Sequence, residues 1–216
     1  MSQTLRALWA EHRSILFFVL LMVVFRSSWA DWNDVPSGSM EPSILVGDRI
    51  LVDRAAYDLR VPLFGQRLLT FADPVRGDVV VFESAAADKR LVKRVIGVPG
   101  DVVAMRGNAL VLNGEPLAYR LVSRAGHSAV FEESLPGTPH AIRLSATPSL
   151  RASFDPVTVP AGHYLVLGDN RDSSADSRAF GFVPREEIIG RSDRVVLSLD
   201  YEAWFMPRFE RFGETL

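Results

Sequence analysis

Short runs of Val and Ile, separated by turn residues, are the feature that most constrains the fold of this 216-residue chain. Such runs are typical of strands and are too short for the helices of a packed domain. Together they predict a mainly β fold built around an antiparallel sheet. The runs are Ile50–Val52, Asp78–Phe82, Leu91–Val98, Val102–Met105, Ala109–Leu112, Tyr164–Leu167 and Arg194–Leu199.

Turn residues indicate how some of these strands connect. Arg106-Gly107-Asn108 and Asn113-Gly114 are typical of hairpin turns. Val102–Leu117 is therefore predicted to be a meander of neighbouring strands.

The segment Ser123–Pro160 differs from the rest, because it holds five prolines and has weak periodicity. We interpret it as the loop-rich part of an insertion. The predicted organisation is a β-domain formed by residues 33–105 and 162–216. Residues 106–161 form an inserted cap of strands and loops.

The N-terminal region has a different character from the β-type runs. Ser14–Phe25 is apolar and follows Arg6 and Arg13. A helix from Ser14 to Trp32 would rise about 28 Å, close to the roughly 30 Å of a bilayer core. Residues 1–32 are therefore predicted to be a tail and a membrane anchor. The two arginines favour a cytoplasmic N-terminus.

Two other interpretations of the same segment stay open. A cleaved signal peptide has a basic start, a short apolar region and a small-residue end, and Ser28-Trp29-Ala30 loosely fits that end. The third interpretation is a buried helix of a soluble domain.

Composition excludes several classes of site. The chain has no cysteine, which removes disulfide scaffolds, cysteine-ligated metals and thiol nucleophiles. The net charge of −2 argues against binding nucleic acid by bulk electrostatics. None of the four histidines has the spacing of a metal-ligand pair, so no metal is expected.

Three segments are candidates for chemistry. Pro36–Pro42 places two hydroxyls and a glycine between prolines, and on composition alone a linker turn accounts for it. Lys93 lies in the apolar run Leu91–Ile96, where burial would lower the pKa of its amine. Gly168–Arg178 is rich in Asp, Asn, Arg and Ser, and a hydrogen-bonded turn that braces strands fits it better than a calcium loop.

Four segments, in this order, resemble motifs of the bacterial type I signal peptidase (leader peptidase) family, which are serine–lysine dyad proteases. A single motif would be weak, whereas four in order behind an apolar segment are specific. The matching segments are Ser-Gly-Ser-Met-Glu-Pro (37–42), Asp78–Phe82, Lys93–Asp101, and Gly168–Arg178 continued by Gly181-Phe182-Val183.

The resemblance implies a role for each matching residue. Ser39 would be the nucleophile and Lys93 the general base. The Ser37 hydroxyl and the Ser39 N–H would form the oxyanion hole, and Ser174 would orient Lys93. Two supporting ion pairs would be Asp169 with Arg94 and Asp176 with Arg178. The walls of shallow pockets for small substrate residues would be Val35, Pro36, Met40, Leu91 and Val92.

The resemblance also implies partners and a location. The substrates would be secretory preproteins, cut after Ala-x-Ala-type residues, with no cofactor, metal or nucleic acid and with activity as a monomer. The protein would cross the bacterial inner membrane once, with its catalytic domain on the periplasmic, extracytoplasmic side. Val61–Phe64 and Trp204–Met206 are apolar stretches that fit either the membrane interface or an ordinary core.

Rival functions remain at this stage. One is a specialised serine–lysine peptidase that matures a single pilus or conjugation substrate, and another is a self-cleaving regulator with the same dyad. The third is a membrane-anchored β-domain that binds partners without catalysis, which would not require Ser39 or Lys93.

Overall fold

The computed structural model describes residues 12–23, 29–61 and 66–216. Residues 12–23 are helical, and their side chains are exposed. Within the described ranges, no helix combines the length and apolar character that a membrane span requires. The proposed span Ser14–Trp32 includes residues 24–28, which lie outside those ranges, as do Arg6 and most of Val61–Phe64.

The rest of the described chain is mainly antiparallel β-sheet, as the sequence predicts. Short helical turns cover Gly38–Met40, Arg171–Ser173, Arg185–Glu187 and Phe209–Arg211 in 3₁₀ form and Ser177–Phe180 in α form. The strands are β1 (Ala30–Asp34), β2 (Asp48–Asp53), β3 (Asp58–Arg60), β4 (Arg67–Thr70), β5 (Val79–Ser84), β6 (Lys89–Gly97), β7 (Val102–Arg106), β8 (Ala109–Leu112), β9 (Glu115–Pro116), β10 (Tyr119–Ala125), β11 (Ser128–Glu133), β12 (His140–Ser145), β13 (Phe154–Thr158), β14 (His163–Leu167), β15 (Val183–Pro184), β16 (Ile188–Asp200) and β17 (Met206–Pro207).

One large sheet carries most of the strands on which the site depends. Its order is β1-β2-β16-β5-β6-β14-β15, and β17 pairs with β16. The valine-rich strand β5 is almost wholly buried, because apolar clusters cover both of its faces. Strand β6 lies between β5 and β14, so a side chain in its middle is held on both flanks by backbone pairing.

The predicted anchor needs a correction at its end. Ala30, Asp31 and Trp32 are not helical; they belong to β1, which pairs with β2 from Ala30↔Asp53 to Asp34↔Arg49. The side chains of β1 differ in exposure along the strand, which is typical of a strand at a sheet edge. Pairing with β2 sets the conformation of Ala30–Trp32, although the apolar run before them favours a longer helix.

Smaller sheets form from the inserted region. Strands β7, β8, β9 and β13 make a four-stranded sheet, and β10, β11 and β12 make a three-stranded one. The predicted meander is confirmed, with left-handed backbone at Asn108 and Asn113 in its two turns. The predicted boundary between residues 105 and 106 falls inside β7.

The loop-rich interpretation of Ser123–Pro160 was wrong for its secondary structure. The segment holds β11, β12, β13 and the last three residues of β10. Four of its prolines lie between strands, and Pro156 lies in β13 where the register shifts. The prolines therefore mark strand ends and an irregularity, and they hid the short strands between them.

Candidate active site

Ser39 lies in the short turn Gly38–Met40, between the edge strand β1 and β2. Met40 is buried with Val35 and Ile44 in an apolar cluster, whereas Ser39 is only partly buried. Burial of its apolar neighbours therefore fixes the turn and leaves the serine accessible.

Lys93 lies in the middle of β6 and contacts Ser39 directly. Its Nζ donates hydrogen bonds to Ser39 Oγ at 2.7 Å and to the Val92 carbonyl at 2.8 Å. The residue is 2% exposed. Burial lowers the pKa of Lys93 to about 8, although the carboxylates of Asp176 and Asp169 oppose that change. On the order of one amine in ten is then neutral at pH 7 and able to accept a proton.

A cleft of about 280 Å³ borders this pair. All five side chains expected to form substrate pockets line it: Val35, Pro36, Met40, Leu91 and Val92. Ser37, exposed at the start of the turn, lines the same cleft. Sequence reasoning missed three polar residues at this cleft, namely Asn33, Asp34 and Arg90.

The structure brings together both ion pairs expected around the site. Arg94 Nε and Nη2 donate to Asp169 at 3.0 and 2.8 Å, and both residues are fully buried. Arg178 Nε and Nη2 donate to Asp176 at 2.8 and 2.7 Å. Burial alone would raise the pKa of each carboxyl, but the adjacent guanidinium outweighs burial and holds the pKa below its usual value.

The segment Gly168–Arg178 packs directly on the serine turn. Asn170 N–H donates to the Ser39 carbonyl at 3.1 Å, and its side-chain amide donates to the Gly38 carbonyl at 2.9 Å. Gly168 N–H donates to Asp176 at 3.0 Å. A β-carbon on Gly168 would lie 2.6 Å from Ser174 Cβ and closer still to the Ser39 carbonyl, so glycine is required there.

Ser174 lies beside this contact, but its hydroxyl is buried and has no hydrogen-bond partner among the described residues. It lies near enough to Asp176 to help lower the pKa of that carboxyl, without the geometry of a hydrogen bond. Both hydrogen bonds of the Lys93 amine go elsewhere. The orienting bond from Ser174 to Lys93 stays a prediction.

Sequence reasoning missed a third buried ion pair, which lies behind the site. Arg171 Nη1 and Nη2 donate to Glu133 at 2.7 and 2.6 Å, and neither side chain is exposed. His140 Nε2 lies 3.3 Å from Glu133 and 3.9 Å from Asp169, so it joins the two ion pairs. Arg171 stood in a segment already singled out, whereas Glu133 and His140 lie in strands of the misinterpreted insertion.

Comparison with known proteins assigns the family. The family described as signal peptidase, peptidase S26, matches residues 8–197. The chain belongs to this family. A signal peptidase of this kind is a serine endopeptidase, and the chain is therefore an enzyme that removes signal peptides.

Known signal peptidases resemble the chain along most of its length. Signal peptidase I of Pseudomonas fluorescens is 36% identical over 216 residues, covering 92% of this chain and 75% of that protein. Signal peptidase I of Pseudomonas aeruginosa is 37% identical over 219 residues with the same coverage of each chain. The crystal structure of a signal peptidase I from Enterococcus faecalis V583 shows 32% identity and a TM-score of 0.37, covering 56% of this chain and 98% of that one.

Proposed function

We propose that the chain cleaves exported preproteins after small residues, through an acyl-enzyme on Ser39 formed with Lys93 as general base. The observation that carries the proposal is the contact of 2.7 Å between Lys93 Nζ and Ser39 Oγ. A general base needs to lie within hydrogen-bond reach of its proton and to have a pKa near the working pH. The buried amine, with its pKa lowered to about 8, meets both requirements.

The reaction divides into two steps that use the same base. In acylation, Ser39 Oγ bonds to the scissile carbonyl carbon while its proton passes to Lys93 Nζ. The peptide C–N bond then breaks, and Lys93 gives that proton to the leaving amine. In deacylation, water gives a proton to Lys93 and attacks the ester, and Ser39 regains a proton as the carboxyl product leaves.

Stabilisation of the oxyanion falls to the turn that carries the nucleophile. In this proposal the Ser39 N–H and the Ser37 hydroxyl donate to the negative oxygen of each tetrahedral intermediate. Ser37 is exposed to the cleft next to Ser39, which supports this assignment. Loss of one such donor typically lowers turnover about 10²–10³-fold.

In this proposal, the preference for small substrate residues is due to the walls of the cleft. In an extended substrate, side chains at positions −1 and −3 point to the same side, because alternate residues share a face. They would meet the walls formed by Val35, Pro36, Met40, Leu91 and Val92. The cleft volume of about 280 Å³ is at the small end for a ligand site. We assign the preference for alanine-sized side chains to these apolar walls.

The supporting ion pairs connect the strand that carries Lys93 to the segment Gly168–Arg178, which packs on the serine turn. Arg94 follows Lys93 on β6, and its partner Asp169 precedes Asn170, which contacts the serine turn. The Asp176 carboxylate accepts a hydrogen bond from Gly168 N–H, and its ion pair with Arg178 fixes the same segment. We assign these residues to the support of the dyad, and Ser174 to the orientation of Lys93.

Membrane attachment belongs to the same proposal. The exposed apolar side chains of residues 15–23 support an anchor before β1, with the N-terminus in the cytoplasm and the catalytic domain outside it. Trp204, Phe205 and Met206 are 94%, 62% and 64% exposed, which favours contact with the bilayer interface over a core role. Ser39 follows Ala30 by nine residues, so the nucleophile acts near the lipid surface, on preproteins held there. In this proposal the enzyme acts as a monomer.

The test is cleavage of a preprotein that ends its signal in Ala-x-Ala. The parent chain is expected to release the mature protein, and Ser39→Ala and Lys93→Ala are each expected to lose at least 10³-fold in rate. Ser134→Ala, which changes an exposed serine in the cap, is the matched control and keeps parental activity. Parental rates of cleavage for Ser39→Ala and Lys93→Ala would show that cleavage does not use this dyad.

A further inference from the structure

An ion pair joins the serine turn to the inserted region. The carboxylate of Glu41 pairs with the Arg143 guanidinium. Glu41 follows Met40 at the end of the turn, whereas Arg143 lies on β12, about 100 residues later in the chain. The two side chains are 21% and 33% exposed, so water screens the pair only partly.

The position of Glu41 brings this ion pair onto the turn itself. The side chain of Glu41 folds back over Gly38, because a β-carbon on Gly38 would lie 2.8 Å from Glu41 Oε1 and 2.9 Å from its Cδ. The carboxylate therefore packs against the residue before Ser39. Any movement of the carboxylate would be transmitted to the backbone that carries the nucleophile.

The same residue of β12 is also linked to the turn through the segment after β14. Arg143 N–H donates to the Asp169 carbonyl at 2.8 Å, next to Asn170, which donates to Gly38 and Ser39. One residue of the cap thus reaches the turn in two ways: by its side chain through Glu41 and by its backbone through the segment after β14.

We propose that the Glu41–Arg143 pair is a clasp by which the inserted cap positions Ser39 against Lys93. Both are positioning residues, because neither contacts the reacting atoms. The inference rests on the proposed function, in which Ser39 is the nucleophile. Misplacement of a reacting atom by about 1 Å costs on the order of 10²-fold in rate, so a clasp on the turn acts on turnover.

The experiment compares Glu41→Gln, Arg143→Gln and the double variant on an Ala-x-Ala preprotein peptide. Glu41→Gln keeps the shape that packs on Gly38 and removes only the charge. Each single variant is expected to lower kcat about tenfold. Its KM is expected to stay within twofold of the parental value, because the walls of the substrate cleft are unchanged. The double variant is expected to lose no more than the worse single, since both remove one interaction. Arg143→Lys is expected to recover part of kcat.

The pH dependence separates positioning from a general loss of structure. Glu41 is not among the groups that set the pKa of Lys93, so the rising limb of the rate is expected to stay at about pH 8 while its plateau falls. Thermal unfolding of each variant establishes that it is folded. Glu132→Gln breaks the exposed Arg120–Glu132 pair of the same sheet and serves as the control, with parental kcat.

Two results would overturn the clasp. The first is parental kcat in Glu41→Gln and Arg143→Gln, and the second is a double variant whose loss is the product of the two singles. Ser39→Ala and Lys93→Ala, measured alongside, distinguish this failure from failure of the proposed function. If they are inactive and Glu41→Gln is not impaired, only the clasp is wrong; if they remain active, the dyad itself is wrong.

Discussion

Lys93 is the residue on which the proposed chemistry depends, and its environment is set by the fold. Its amine is buried in a sheet, with Ser39 Oγ and the Val92 carbonyl as hydrogen-bond partners. Desolvation disfavours the charged form, and the carboxylates of Asp176 and Asp169 limit that effect. The balance of these two effects keeps the pKa of Lys93 at about 8. The amine therefore changes charge close to physiological pH.

This balance predicts that Lys93→Met stabilises the protein at pH 7. The pKa falls from 10.5 when unfolded to about 8 when folded, which corresponds to up to about 3 kcal/mol of folding free energy lost to the buried cation. The unfolded state binds the proton more tightly, so the gain of the variant is full below about pH 8. It shrinks as pH rises from 8 and is absent above 10.5.

Urea unfolding of the two proteins at pH 7 and at pH 10 measures this difference. Lys89→Met changes an exposed lysine on the same strand and is expected to show no such gain. A variant Lys93→Met that is less stable than the parent at pH 7 by more than 1 kcal/mol, or whose gain grows with pH, would contradict the desolvated amine.

At the scale of elements, the segment after β14 and the serine turn are packed without space between them. Gly168 approaches the Ser39 carbonyl so closely that a methyl group cannot be accommodated. Gly168→Ala is expected to displace the turn and to lower kcat at least 100-fold. Peptide cleavage, measured with thermal unfolding, tests this.

Gly100→Ala is the control for that substitution. Gly100 has a left-handed backbone with open space around it, so its variant loses stability through strain without touching Ser39. Its kcat should match that of the parent. Equal catalytic losses in the two variants would show that Gly168 matters only for stability.

The sequence predicts the central elements well and the cap poorly. All seven Val- and Ile-rich runs are strands, because alternation and β-branched side chains are local signals of a buried sheet. Strands β10, β11 and β12 were missed although each pairs with its neighbour along the chain, because their side chains are mostly polar or half-exposed. The buried pair Arg171–Glu133 could not be foreseen, because one partner lies in a strand that was missed.

The same limit applies within the site. The resemblance identifies residues of local motifs, such as Ser39 and Lys93. In the structure Lys93 Nζ lies 2.7 Å from Ser39 Oγ. Partners that come from other parts of the fold, such as Arg143 for Glu41, have no signal in a single sequence. The predicted hydrogen bond of Ser174 to Lys93 depends on rotamer and hydrogen position, which the motif alone does not determine, and the Ser174 hydroxyl has no partner among the described residues.

At the scale of the whole molecule, the exposed apolar surface bears on the proposed membrane attachment. The apolar residues before β1 and the exposed Trp204–Met206 stretch are consistent with a domain that rests on the bilayer. A retained anchor predicts that the protein purified from membranes still contains residues 14–30. N-terminal sequencing checks this, and a mature start at Asp31 would show that the segment is removed as a signal peptide.

The central claim is that Ser39 is acylated with the help of Lys93, and covalent labelling tests it most directly. A peptide electrophile that ends in Ala-x-Ala is incubated with the parent and with Lys93→Met, and the labelled residue is located by mass spectrometry. We expect one label, on the peptide that contains Ser39, and at least 10²-fold slower labelling in Lys93→Met. A label on another serine, or equal rates in the two proteins, would contradict it.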